Sequence, residues 1–187
     1  MVSRTVGFAM FILVWQDGTN FNIAKGRHMR PQYAAELFRN GFSCSQAVLA
    51  VFCDNYGLDR KSALKIACGF GGGMNCAEIC GAVSGAVLVI GLKYGCIDEA
   101  DTDAKQTCKV KVREFLNVFS ERNRHIICRD ILGCDISTPE GTQKALDEKL
   151  FTTVCVDLVV SAVTILEELG YWLGPTTCVN DAFDGNV

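Results

Sequence analysis

From Pro31 onward the apolar residues recur at helical spacing, and the chain reads as a succession of helices with little between them. Pro31 suits a first helical position, and Gly41 ends the helix that follows. Ser43 can cap a second helix reaching Tyr56 and stopping at Gly57. Its stripe is Val48, Val51 and Phe52, with Cys44 one turn earlier on the same side. Asp59 caps a third helix through Ile66. A glycine-rich stretch, 69–74, interrupts the pattern; it lacks the Gly-Lys-Ser/Thr of a phosphate loop and signals backbone freedom instead. A central helix over 80–94 ends at Gly95 and carries Gly81 and Gly85. Glycine costs a helix about 1 kcal/mol relative to alanine, so this bare face makes room either for a neighbouring helix or for a cluster or substrate beside Cys80.

A long amphipathic helix over 104–122 presents Cys108, Val112, Phe115, Leu116 and Phe119 to the core. A short segment, 127–133, follows. The stretch Ser137-Thr138-Pro139-Glu140 combines a hydroxyl cap, an early proline and a glutamate placed as in a capping box. The last helix, 153–169, puts Cys155, Val159, Ala162 and Leu166 on one face and ends at Gly170. The expected fold is all-α, a bundle of six or seven helices. Residues 1–28 form an N-terminal extension, 29–173 the helical cysteine domain and 174–187 a tail. The extension reads as a β-hairpin, 6–15 and 21–24 about a turn at Asp17-Gly18. It also reads as a non-native leader, because Gly-Arg-His-Met at 26–29 looks like a junction and Met29 like a natural start.

Length and composition change this picture little. At 187 residues, 49% hydrophobic and 21% charged, the chain is globular and long enough for a sizeable core. A net charge of −3 gives no electrostatic case for nucleic acid. The basic row Lys105, Lys109, Arg113 reads as solvated helix surface. The longest apolar run, 79–92, is broken by glycines and suits a buried helix rather than a membrane span.

The cysteines change it most. Eleven is an odd number in a chain that needs no disulfide staples, which points to a reducing, cytoplasmic setting. Cys44, Cys80, Cys128 and Cys155 each fall near the start of a predicted helix and none belongs to a C-x-x-C pair. Unpaired N–H groups and the positive end of the helix dipole favour a thiolate there, so depressed thiol pKa values are expected. Only a tertiary fold could gather four such distant thiols. Cys53, Cys68, Cys108 and Cys178 read as core fillers, as do Cys96 and Cys134 beside turns. Cys76 could meet Cys80 if the turn between them is helical. Of the two histidines, His28 lies in the extension and His125 reads as a surface residue. No Ser/His/Asp set or catalytic carboxylate pair is apparent.

Five co-ordered motifs resemble a known family. They are Gly41-Phe42-Ser43-Cys44-Ser45-Gln46-Ala47-Val48, Gly69-Phe70-Gly71-Gly72-Gly73-Met74, Cys80-Gly81-Ala82-Val83-Ser84-Gly85-Ala86, Cys128-Arg129-Asp130-Ile131-Leu132-Gly133, and Cys155. Together they resemble the redox-active protein family named for its C…CGAxxG…C…C pattern, over roughly 32–168. The resemblance implies that Cys44, Cys80, Cys128 and Cys155 act together as redox or metal-binding residues. Members often accompany transporter genes, and a related domain stands beside the haem part of split-Soret cytochromes, where an iron–sulfur centre is described. Cys76 lies outside the pattern.

Four thiolates without a ligand histidine suit a 2Fe–2S cluster, with two ligands to each iron. A 4Fe–4S cluster matches by ligand count. Structural zinc accepts the same set but usually takes closely spaced pairs from loops. Gly71, Gly72, Gly73, Gly81 and Gly85 are then the residues shaping the cofactor's space. The competing chemistry is a cluster-free thiol–disulfide oxidoreductase, in which Cys80 cycles with Cys128 or Cys44. A third reading is a non-catalytic, redox-sensing or zinc-binding subunit of a transporter system. The expected partner is a separate redox protein, and self-association is a further expectation.

Overall fold

The computed structural model describes residues 30–172. The hairpin reading, His28 and Cys178 lie outside the described residues. Within them the chain is all-α, with eight helices and no sheet strand. In order they are α1 (Arg30–Arg39), α2 (Cys44–Ala50), α3 (Arg60–Ala67), α4 (Gly81–Tyr94), α5 (Thr102–Asn123), α6 (Cys128–Leu132), α7 (Pro139–Asp147) and α8 (Val154–Glu168). None is long and apolar enough to cross a membrane.

Local chemistry sets most of the boundaries. Ser43 and Gln46 form a reciprocal capping box at α2. Asp59 accepts the Ser62 N–H at α3, 2.9 Å, and Asp101 accepts the Ala104 N–H at α5, 2.8 Å. Gly57 and Gly133 adopt the left-handed conformation that closes a helix. At α7 the cap is Thr138, which accepts the Gly141 N–H, while the Ser137 hydroxyl turns back to Asp135. The expected box through Ser137 and Glu140 is therefore not made.

The second helix also departs from expectation. It ends at Ala50 and resumes as a 3-10 turn, Cys53–Tyr56. Residues 47–53 are buried without a break, so no polar face enforces a regular helical period there.

Helix α4 is the centre of the fold, packed by α2, α5 and α8. Val83, Ala86, Val89 and Ile90 of α4 meet Val48 and Leu49 of α2, Phe115 and Phe119 of α5, and Val159, Ala162 and Leu166 of α8 in one core. Being covered on several sides, α4 needs no polar stripe. Gly85 explains how α2 comes so close: a Cβ there would stand 2.8 Å from the Ser45 carbonyl oxygen and 3.0 Å from the Val48 Cβ. For Gly85 the neighbouring-helix explanation holds.

The pole formed by the start of α1 and the ends of α4 and α8 is polar, with Arg30 and Tyr171 buried and Lys93 at its surface. Arg30 pairs with Glu167 at 3.7 Å and stacks on the rings of Phe52 and Trp172. Lys93 donates to the Gly170 carbonyl, 2.8 Å, and Tyr94 meets Tyr171 edge to face.

Candidate functional site

At the other pole a cavity of about 240 Å³ opens between the starts of α2, α4, α6 and α8. Cys44, Cys80, Cys128 and Cys155 all line it, with Phe38, Leu132, Ile136, Phe151 and Leu158 as apolar walls. Cys80 and Cys128 are buried; Cys44 and Cys155 are half-buried. The four are free thiols.

Each thiol is positioned by its own local device. Cys44 follows the capping box directly, so it opens α2. Cys80 and Cys128 are brought side by side by a single antiparallel bridge between Ile79 and Ile127. The Cys80 N–H donates to the Ile126 carbonyl, 2.9 Å, and the Cys128 N–H to the Glu78 carbonyl, 2.6 Å. The Arg129–Glu78 ion pair closes the same junction from outside. Cys155 is anchored by its N–H to the Leu150 carbonyl, 3.0 Å.

The glycines divide between roles. Gly71 and Gly72 line the cavity, whereas Gly73, Gly81 and Gly85 are not among its lining residues. Gly81 nonetheless shapes it: a Cβ there would overlap the Cys44 Sγ and stand 3.0 Å from the Phe70 carbonyl oxygen. Gly73 is bare because the backbone of Glu78 passes against it.

The glycine-rich stretch does more than bend. Gly72, Gly73, Met74 and Asn75 are successive left-handed residues, and Ala77 is left-handed too. Each non-glycine residue held there costs about 1–2 kcal/mol, so surrounding contacts must impose the turn. Its consequence for Cys76 is direct. The segment is not a right-handed helix, Cys76 is exposed, and it does not line the cavity beside Cys80. His125 is exposed in a turn, away from the lining.

Of two cysteines read as filler, one lines this cavity and the other stands beside it. Cys68 is exposed rather than buried, and it lines the cavity. Its place next to the glycine-rich stretch was the signal that could have found it. Cys134 follows Gly133 of the Cys128 motif and stands close enough to raise the pKa of both Cys128 and Cys155. Cys53 is fully buried in the core and Cys108 packs half-buried against it, as expected of fillers.

The expected thiolates are corrected by burial. Removal from water, followed by repulsion from Cys44, pushes Cys80 up to about 12, although the Ala82 and Val83 N–H groups favour its anion. Burial and then Cys44 and Cys134 push Cys128 up to about 12. Cys155 moves in the same direction, burial first and the neighbouring thiols after it. At Cys80 the helix-end donors lose to desolvation and to repulsion from the neighbouring thiols.

The donor chemistry suits a thiophilic metal or an iron–sulfur cluster: several thiols, apolar walls, and no histidine or carboxylate in the lining. Among the described residues, however, no three Cys, His, Asp or Glu side chains stand as a group ready to hold a metal ion. The thiols share a cavity without sharing a coordination point, so binding would have to draw them inward.

Fold and site together define an all-α protein with a thiol-lined cavity at the meeting of helix starts. The chain belongs to the family described as "Putative redox-active protein (C_GCAxxG_C_C)", whose profile matches residues 42–169. No curated protein and no solved structure matches the chain.

Proposed function

We propose that Cys44, Cys80, Cys128 and Cys155 hold an iron–sulfur centre, 2Fe–2S before 4Fe–4S or zinc, and that the protein carries electrons in a reducing, cytoplasmic setting for a separate redox partner. The observation behind this reading is the convergence of four thiols, each from a different helix start, on one largely apolar cavity. Burial favours the protonated form of Cys80, Cys128 and Cys155, and no cation lines the cavity to oppose it. A soft cation would turn the same burial and the same helix-end donors into a stabilised thiolate set. When bound, such a cluster supplies one-electron transfer. The chain's own part is to fix the four ligand-bearing helix ends, exclude water with Phe38, Phe151 and Leu158, and leave backbone room at Gly71, Gly72 and Gly81.

Anaerobic purification with a visible spectrum and analysis for iron, sulfide and zinc tests this. Broad visible absorption with equal iron and sulfide supports a cluster, and zinc alone supports a structural site. Cys80→Ser should lower bound iron roughly tenfold or more, while Cys108→Ser leaves it unchanged. Equal effects from the two substitutions would sink the assignment.

A colourless, metal-free protein whose thiols oxidise reversibly would favour the second reading, thiol–disulfide chemistry. The exposure of Cys68 on the same cavity supports that alternative.

A further inference from the structure

Five thiols line one cavity, yet they differ in access to solvent. Cys80 and Cys128 are buried, Cys44 and Cys155 half-buried, and Cys68 exposed. Cys68 opens a 3-10 turn, Cys68–Phe70, directly after α3. That turn is fastened to the start of α2. The buried Ser45 hydroxyl donates to the Ala67 carbonyl, 2.7 Å, and the Gln46 amide donates to the Leu64 carbonyl, 2.9 Å. Cys44 precedes Ser45 and Cys68 follows Ala67, so one hydrogen bond ties the two cysteine-bearing segments together. On the far side of the turn, the Cβ position of Gly81 lies 3.0 Å from the Phe70 oxygen and 3.2 Å from the Gly71 Cα, and would overlap the Cys44 Sγ. The Cys44 thiol and the turn that Cys68 begins therefore both flank the bare backbone of Gly81.

We propose that Cys68 is the solvent-facing exchange thiol of this cavity, taking up oxidising equivalents from a low-molecular-weight disulfide and passing them to Cys44. The inference rests on the cavity being the redox centre. In the first step the Cys68 sulfur attacks one sulfur of the small disulfide. A Cys68 mixed disulfide forms, the small disulfide's S–S bond breaks, and one small thiol leaves. In the second step the Cys44 sulfur attacks the Cys68 sulfur. The Cys44–Cys68 bond forms and the second small thiol leaves. Two protein thiols are oxidised by two electrons, and their two protons depart on the two small thiols. If Cys44 also serves as a cluster ligand, the same bridge withdraws it from the ligand set, which makes the bridge a sensor as well as an exchange step.

Cys76 is an internal control, because it is equally exposed in the adjoining segment but lies off the cavity. The full chain, prepared anaerobically with whatever metal it carries, is treated with glutathione disulfide, and its products are mapped by peptide mass spectrometry. Expected are a Cys44–Cys68 bridge in the unaltered chain and a Cys68 mixed disulfide trapped in Cys44→Ser. Oxidation of the Cys44 thiol should slow roughly tenfold or more in Cys68→Ser and keep its rate in Cys76→Ser. The proposal is overturned if Cys68 and Cys76 are thiolated alike with no bridge, or if Cys68→Ser oxidises at the original rate. Iron and sulfide content scores the cluster separately. An iron-free chain that forms the bridge removes the cluster and leaves Cys68 its role. An iron-bearing chain that forms none does the reverse.

Discussion

The two poles of the helical body treat buried polar groups in opposite ways. At the pole where α4 and α8 end, the cation is built in: Arg30 meets Glu167 and two aromatic rings, and Lys93 meets the Gly170 carbonyl. Cations at helix C-termini also agree with the helix dipole. At the pole where α2, α4, α6 and α8 begin, potential anions gather, and no lysine, arginine or histidine lines their cavity. Burial lowers Arg30 to about 10 while Glu167 acts to raise it, and burial pushes Cys80 and Cys128 up with no cation to oppose the shift. A compensated site like the first is structural. The thiol cluster has no such built-in counter-charge in its lining.

The sharpest way to break the comparison is at the compensated pole. Arg30→Met should cost about 3–5 kcal/mol in urea unfolding, because the buried Arg30–Glu167 pair is broken and the guanidinium contacts with Phe52 and Trp172 are lost with it. Adding Glu167→Leu should recover much of the loss. A harmless Arg30→Met would mean the pair is not what holds this pole together. Next in size, Gly85→Val should cost about 1–3 kcal/mol, since its side chain would press into Ser45 and Val48 and spread α2 from α4. The displacement would also move Cys44, so metal loading should fall along with stability.

The third test is a pH trend, confined to the alkaline end. Burial holds Cys53, Cys80 and Cys128 up to about 12, against 9.0 for an ordinary thiol. As pH rises the unfolded chain gives up these protons first, so the folded state holds more of them. Stability of the metal-free protein is therefore full below about pH 9 and drains away toward about pH 12. Urea midpoints across that window measure the fall, and Cys53→Ala should make it shallower. Metal loading should flatten the share owed to Cys80 and Cys128. A profile already flat without metal would mean these thiols are not held protonated by burial.

Much of this architecture was legible one turn at a time. Ser43, Asp59, Gly41, Gly57 and Gly133 mark helix ends because a cap or a left-handed residue acts over only a few residues of chain. The placement of the four cysteines at helix starts was readable for the same reason. The stop of α2 at Ala50 was not, because continuous burial replaced periodicity as the deciding force. Nor was the left-handed run through Met74 and Asn75, which intrinsic preference opposes and only tertiary contacts can impose.

The sequence by itself therefore determined the class of fold, most helix boundaries, and which four thiols share a type of position. Tertiary structure alone decided that they share a cavity, through the Ile79–Ile127 bridge and the Ser45–Ala67 hydrogen bond between segments far apart in the chain. It also decided that Cys68 joins them and Cys76 does not, and that at Cys80 burial outweighs the N–H groups of the helix start. The reason is range: caps and periodicity act within a turn or two of helix, whereas desolvation and long-range contacts depend on what the whole fold packs around each group.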